Sequence, residues 1–297
     1  MPTASVILPV RNEERHVGSA IAALLGNTCT DAEILVADDA STDATPRIAA
    51  SFESSGRVRV LRNPRQLGPV VSSNAASRHA EAELLFFIDG DCTAAPDWIE
   101  QGIRALGAPG VCAVEGAVYY GHPEPTFRHR VPINPFYNLR RRGALTVPAT
   151  DYANGNFAIR RDTFTALGGF NATRYGCGRE DTDLGLRAAA RGTVAYNPDM
   201  KVTHKEELWT FRALLRNALR YEADVRILKD HGDFPFRWKR VLHPRFLAEL
   251  CFPLAIPFRY PIRSRADLCF LPQFYLYLAL LRLVIWRAAI RERMLLV

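Results

Sequence analysis

The chain lacks several features that would decide its class at once. Its six cysteines (29, 92, 112, 177, 251 and 269) include no C-x-x-C pair, which excludes a disulfide framework and a cysteine zinc site. It has no low-complexity tract, no long charge run and no repeat on the scale of roughly 20–50 residues, so neither disorder nor a solenoid is indicated. The opening run MPTASVILPV has no charged region followed by a long apolar one. No secretory leader is expected, and the expected setting is reduced and cytoplasmic.

What is present is a large apolar share, 48% of 297 residues. That is enough for one large α/β domain with an appendage. The net charge of +7 is unevenly placed: residues 1–125 carry 9 Lys/Arg against 16 Asp/Glu, and residues 126–297 carry 29 against 15. An acidic front half argues against a nucleic-acid binder. The basic back half, rich in arginine and aromatics, suits an anionic membrane surface or a phosphate-bearing substrate; a solvated basic face has the same composition.

Short apolar runs alternate with helical patterns along the first ninety or so residues. ASVILPV (4–10), AEILVAD (32–38), VRVLRN (58–63) and LLFFID (84–89) read as strands. Residues 13–26, 43–56 and 70–81 read as helices, the first two stopped by Gly26 and Gly56. Near-continuous apolar strands between helices indicate a parallel sheet covered on both faces. Ligands of such sheets bind beyond the carboxyl ends of the strands, where RNEE, DDASTD and DGD would converge. Further on, 111–121 is strand-like and 122–148 is a Pro- and Arg-rich loop of the length that often serves as a lid. Residues 155–170 read as strand then helix, and 180–192 as a helix with acids in its first turn.

The last third differs. Residues 207–232 have the pattern of one long amphipathic helix, followed by apolar segments at 246–258 and 268–286. The first is short for a membrane span and carries Glu249; the second is long enough but holds Pro272, Gln273 and Arg282. Flanking arginines and aromatics fit helices lying in the interface plane; a buried helical subdomain or a true span stay open. The expected division is a catalytic domain over 1–205 and a helical, membrane-interfacial region over 206–297.

Asp89 and Asp91 stand two residues apart at the end of an apolar run, with Gly90 between them. In extended chain both carboxylates point to one side, and the glycine allows a sharp turn. Two adjacent carboxylates ask for a cation. Oxygen ligands suit Mg²⁺ or Mn²⁺, completed by waters and substrate phosphates. Asp89-Gly-Asp91-Cys-Thr93 also matches the D-x-D-x-T nucleophile of haloacid dehalogenase-type phosphotransferases, but that motif belongs on a first strand and three strand-like runs precede this one.

The ordered set SVILPVRNEERHVGSAIAALL, EILVADDASTDATPRIA, LLFFIDGDCTAAPDWI, GNFAIRRDTFTALGGF and GREDTDLGLRAAARG strongly resembles the family 2 glycosyltransferases with a GT-A fold. The likeness runs from residue 4 to about 205. It implies an α/β, Rossmann-like, mostly parallel sheet flanked by helices, and transfer from a UDP- or GDP-sugar with Mn²⁺ or Mg²⁺. It implies that Pro9, Arg11, Glu13 and Asp39 hold base and ribose, with Ser41 or Asp43 capping the next helix. Asp89 would lie towards the ribose, Asp91 would bind metal, and His204 would complete the metal site. Gly155, Asn156 and Glu180 would line the donor sugar and acceptor. Asp181 would be the catalytic base, removing the acceptor proton during one inverting displacement. Asp183 reads as a helix-surface acid, and Arg187 as half of a structural ion pair.

Three departures qualify the likeness. Ser73-Asn74 stands where a basic residue often precedes asparagine, Arg11 replaces a common tyrosine, and no Q-x-x-R-W motif occurs. The last argues for transfer of a single sugar over processive synthesis. The expected acceptor is a hydroxyl or phosphate, lipid or glycan, met at the cytoplasmic face of the cell membrane through the C-terminal helices. A non-catalytic nucleotide-sugar binder is the alternative; a sugar nucleotidyltransferase is disfavoured because PVRNEE is not a Gly-rich loop.

Overall fold

The computed structural model describes residues 1–120, 155–176, 178–205, 208–231, 262 and 264–295. The 122–148 and 246–258 segments lie outside the described residues. The described residues form two compact units, one from 1–119 and 155–205, the other from 208–295.

The first unit is built on an eight-stranded sheet. Strands β1 (Ser5–Val10), β2 (Glu33–Asp38), β3 (Val58–Arg62) and β4 (Leu84–Ile88) lie parallel in the order β3-β2-β1-β4. Helices α1 (Val17–Leu25), α2 (Thr45–Ala50) and α3 (Pro69–Ser77) connect them. Alternate residues of one strand feed opposite layers. Val6, Leu8 and Val10 enter a core with Val17, Ile21 and Leu24 of α1, while Ile7 packs with Leu35, Leu85 and Phe87 on the other side. Burial on both faces explains why these strands read as unbroken apolar runs.

Beyond β4 the direction reverses. β7 (Asn156–Arg160) runs antiparallel to β4, β6 (Val111–Tyr120) antiparallel to β7, and β5 (Cys92–Ala94) antiparallel to the end of β8 (Thr193–His204). The full order is β3-β2-β1-β4-β7-β6-β8-β5. The expected α/β sheet is therefore mixed: parallel over its first four strands, with antiparallel β4–β7, β7–β6 and β8–β5 pairs beyond them. Helices α4 (Trp98–Leu106), α5 (Arg161–Ala166) and α6 (Glu180–Ala189) pack around this half.

The second unit contains α7 (Phe211–Arg220), α8 (Glu222–Asp230) and α9 (Arg265–Arg291). The single helix read over 207–232 is two. At the break, Tyr221 N–H donates to the Ala218 carbonyl and Asp224 N–H to that of Tyr221, a tightening to three-residue bonds that ends one helix and starts the next. A reciprocal cap opens α9: Asp267 N–H donates to Ser264 Oγ and Ser264 N–H to the Asp267 carboxylate, both at 3.1 Å. Phe270, Phe274, Tyr277, Leu281 and Ile285 on one side of α9 pack with Leu214 and Ala218 of α7 and Val225 and Leu228 of α8.

Candidate active site

Two strand registers assemble the site. Antiparallel pairing of β4 with β7 sets Ile88 opposite Asn156, so Asp89 and Gly155, the next residues outward, meet beyond the sheet. Gly155 has φ +64, and a Cβ there would lie 2.2 Å from Asp89 Oδ2. Only glycine lets this backbone approach the carboxylate so closely. Gly90 answers a second constraint. A Cβ on it would lie 2.8 Å from Val10 Cγ1, 3.2 Å from the Pro9 carbonyl and 3.5 Å from Glu13 Cγ. The D-G-D turn is thus pressed against the end of β1, which brings Pro9 and Glu13 beside it.

The second register pairs Cys92 with His204 and Ala94 with Val202. It carries His204 to Asp91, with Nε2 at 3.2 Å from Oδ2. His204 Nδ1 lies 2.9 Å from the Lys205 carbonyl. A carbonyl only accepts, so Nδ1 carries a proton, which leaves Nε2 as the ring atom a metal ion beside Asp91 would use. Asp91, Cys92 and His204 each direct a ligand atom within 4.8 Å of the others. Cys92 belongs to the buried apolar core, where burial, then the charges of Asp89 and Asp91, pushes its thiol up. One carboxylate and one imidazole remain, a donor set that fits a hard or borderline divalent ion such as Mn²⁺.

At the ends of β1 and β2, Asp39 is buried. Its Oδ1 accepts from Leu67 N–H at 2.7 Å, Asn63 Nδ2 at 3.0 Å and Ser72 Oγ at 3.2 Å, and its Oδ2 from Gly68 N–H at 2.9 Å. Burial works to raise its pKa, but the donors from Leu67, Asn63, Gly68 and Ser72 outweigh it and hold the carboxyl below the usual range. Asp39 therefore shapes the 63–72 segment, and Oδ2 retains acceptor capacity for a ligand. Its neighbour Asp38 meets Arg62 Nε at 3.2 Å and accepts from Ser41 N–H. Asp43 accepts from Thr45 N–H at 3.0 Å, a turn bond two residues on, but the N-cap position of α2 is Ala44, so neither Ser41 nor Asp43 occupies the cap expected from sequence. Arg11 is half-buried, and its Nε has no hydrogen-bond partner among the described residues.

Asp181 lies in the first turn of α6, after Glu180. Burial, then the charge of Glu180, raises its carboxyl to about 8; the Thr182 N–H and Arg179 lower it, and Asp89 is near enough to raise it further. Asp181 thus shares the electrostatic surroundings of the D-G-D turn. Four non-glycine residues have positive φ among the described residues, and three border the site: Asn12 (φ 54), Ala40 (φ 54) and Arg179 (φ 66). Backbone strain of this kind persists where surrounding structure imposes it.

Two readings from sequence are corrected. Asn156 does not reach a ligand. Its side chain is fully buried, accepting from Trp98 Nε1 at 2.8 Å and donating to the carbonyls of Ala117 (2.9 Å) and Met200 (2.8 Å). It ties α4, β6 and β8 together behind the site. Asp183 is no surface acid: it is buried and paired with Arg187 at 2.6 Å, while Arg187 also donates to the carbonyls of Leu167 and Gly169. Sequence reasoning missed Asn63, Gly68 and Ser72 around Asp39. Their only signal was polarity next to a strand end, which any loop shows.

Comparison with known proteins bears on the family and the fold. The model of the family described as glycosyl transferase family 2 matches residues 5–168, and that described as N-terminal domain of galactosyltransferase matches 138–209. The glycosyltransferase AglE of Haloferax volcanii is 31% identical over 126 residues, 41% of either chain. Validoxylamine A glucosyltransferase of Streptomyces hygroscopicus subsp. limoneus is 27% identical over 281 residues, 84% of this chain and 59% of that one. The chain thus spans about half the length of these relatives. In fold it is similar to the mannosyltransferase PcManGT from Pyrobaculum calidifontis, solved with GDP-Man and Mn²⁺. The TM-score is 0.66 at 20% identity, over 98% of this chain and 87% of that one. The fold is GT-A, and with more than half its length under the family match, the chain belongs to glycosyltransferase family 2.

Proposed function

We propose that the chain is an inverting, metal-dependent glycosyltransferase. It moves one sugar from a nucleoside-diphosphate sugar to a hydroxyl or phosphate acceptor, lipid or lipid-linked, at the cytoplasmic face of the membrane. One observation carries the reading: a metal-competent Asp91–His204 pair, the Asp89–Gly155 contact and the half-buried Asp181 belong to one strand-end site. Pro9, Arg11, Glu13 and Asp39 hold the base and ribose of the donor, with Asp89 towards the ribose. Asp91 and His204 would hold a divalent ion, which when bound would supply positive charge for a departing nucleoside diphosphate. Asp181, ionised when donor and acceptor are in place, takes the acceptor proton while the new bond forms at the anomeric carbon. A single displacement of this kind inverts that carbon.

The test is nucleoside diphosphate release over a panel of donors, with Mn²⁺ and with chelator. Asp181→Asn should abolish transfer and leave nucleotide affinity nearly unchanged. Turnover by that variant at the wild-type rate would sink the proposal.

A further inference from the structure

We infer that the outer face of α9 docks on an anionic lipid bilayer, with the helix lying in the interface plane. The inference rests on the reading above only for a membrane-side acceptor; the surface is argued from the second unit alone. Helical spacing sets Leu268, Tyr275, Leu276, Leu283, Trp286 and Ile290 on one side of α9, opposite the packed side of Phe270, Phe274, Tyr277, Leu281 and Ile285. Those six are exposed, from 42% at Tyr275 to 77% at Ile290. From Leu268 to Leu281 no residue is charged. The stripe runs roughly 33 Å at the α-helical rise. An apolar strip this long on one exposed face marks an interaction surface.

By length and composition α9 is also apolar enough to cross a membrane. Its inner side argues otherwise. Asn217 Nδ2 donates to Tyr277 Oη at 2.9 Å, and α7, packed on that side, carries the exposed arginines Arg212, Arg216 and Arg220. A span would draw these guanidinium groups into hydrocarbon, which is costly. Lying in the plane immerses only the outer stripe, with Tyr275 and Trp286 suited to the headgroup boundary.

Charge selects the occupant. Arg265 precedes the stripe, and Arg287 and Arg291 flank its end. Glu222 meets Arg226, Arg287 and Arg291, and Glu292 meets Arg226 and Lys229, so four cations share two carboxylates. Residues 206–297 carry 16 Lys/Arg against 9 Asp/Glu. Two copies pairing through the stripe, parallel or antiparallel, would set arginine against arginine. Anionic headgroups neutralise the same rim.

The test is co-sedimentation of the full chain with vesicles of phosphatidylcholine alone and with added phosphatidylglycerol. Binding should need the anionic lipid, weaken with salt, and be released by alkaline carbonate. The variant Leu276→Glu/Leu283→Glu/Ile290→Glu should bind roughly a hundredfold more weakly, with its circular dichroism and its transfer to a soluble acceptor unchanged. No binding to anionic vesicles, binding unaffected by the triple variant, resistance to carbonate, or a solution dimer that the triple variant dissolves would each overturn the inference. Transfer to the soluble acceptor is scored separately, so failed docking leaves the transferase reading standing.

Discussion

The parallel half of the sheet, β3-β2-β1-β4, delivers site residues at its strand ends: Pro9 in β1 and Asp39 beyond β2 lie where the chain leaves the core. The antiparallel half delivers them by register. Gly155 meets Asp89 because β7 pairs with β4, and His204 meets Asp91 because β8 pairs with β5. Strand ends are set by local sequence, so they tolerate substitutions that spare the ends. Registers depend on the whole ladder, and one misplaced residue moves every partner. The acid proposed to act on the acceptor, Asp181, comes from a helix after β7, so chemistry depends on both halves.

The largest expected effect separates chemistry from assembly. Asp181→Asn should lower kcat by roughly 10²–10⁴-fold, the usual worth of a general base, while donor affinity measured by calorimetry stays close to wild type. The same variant should melt higher at pH 7. In the folded state the Asp181 carboxyl is raised to about 8, against an ordinary 3.8. The folded state therefore binds more protons between these values, and stability falls as pH rises across that window. Metal-free melts from pH 4 to 9 should show this slope in the wild type and lose its Asp181 part in the variant; parallel curves would refute the assignment.

Gly155→Ala tests the β4–β7 register. The new Cβ meets Asp89 at 2.2 Å in a left-handed backbone, so the turn must shift. Stability should fall by about 2 kcal/mol, and transfer should drop more than nucleotide binding. A variant with unaltered transfer kinetics would show that this contact is not part of the site.

On the strand-end side, Asp39→Ala should destabilise by roughly 3 kcal/mol or more, since it strands buried donors from Leu67, Asn63, Gly68 and Ser72. Its pH signature is opposite to that of Asp181. The depressed Asp39 carboxyl gives stability that is present above 3.8 and lost as pH falls through its folded value. Chemical denaturation at pH 7 and pH 3 should show the variant's deficit shrinking in acid; a constant deficit would deny the hydrogen-bonded carboxylate.

The smallest effect expected is that of His204→Ala, about tenfold in Mn²⁺ affinity with little change in melting temperature. Isothermal titration that finds equal Mn²⁺ affinity in variant and wild type would remove His204 from the metal site.

The four parallel strands were legible because burial on both faces writes them as apolar runs, and the D-G-D turn was legible because its acids interrupt the last of them. α9 was legible as a long apolar helix, although its division into packed and exposed sides was not. Asn156 shows the limit most plainly. Its position at the head of a strand is readable, but whether its amide points to ligand or core depends on Trp98, Ala117 and Met200, which the sequence scatters. The same holds for Asp183, whose burial follows from how α6 packs against the 167–169 turn.

By itself, then, the sequence determined the strand–helix alternation, the polar clusters at strand ends and the identity of the acids, since each is written in contiguous residues with a local physical cause. Tertiary structure alone decided the antiparallel half of the sheet, the meeting of His204 with Asp91 and of Gly155 with Asp89, and the inward turn of Asn156. Those depend on pairing between segments distant in sequence, where the energy lies in registers and buried hydrogen bonds that no single segment contains.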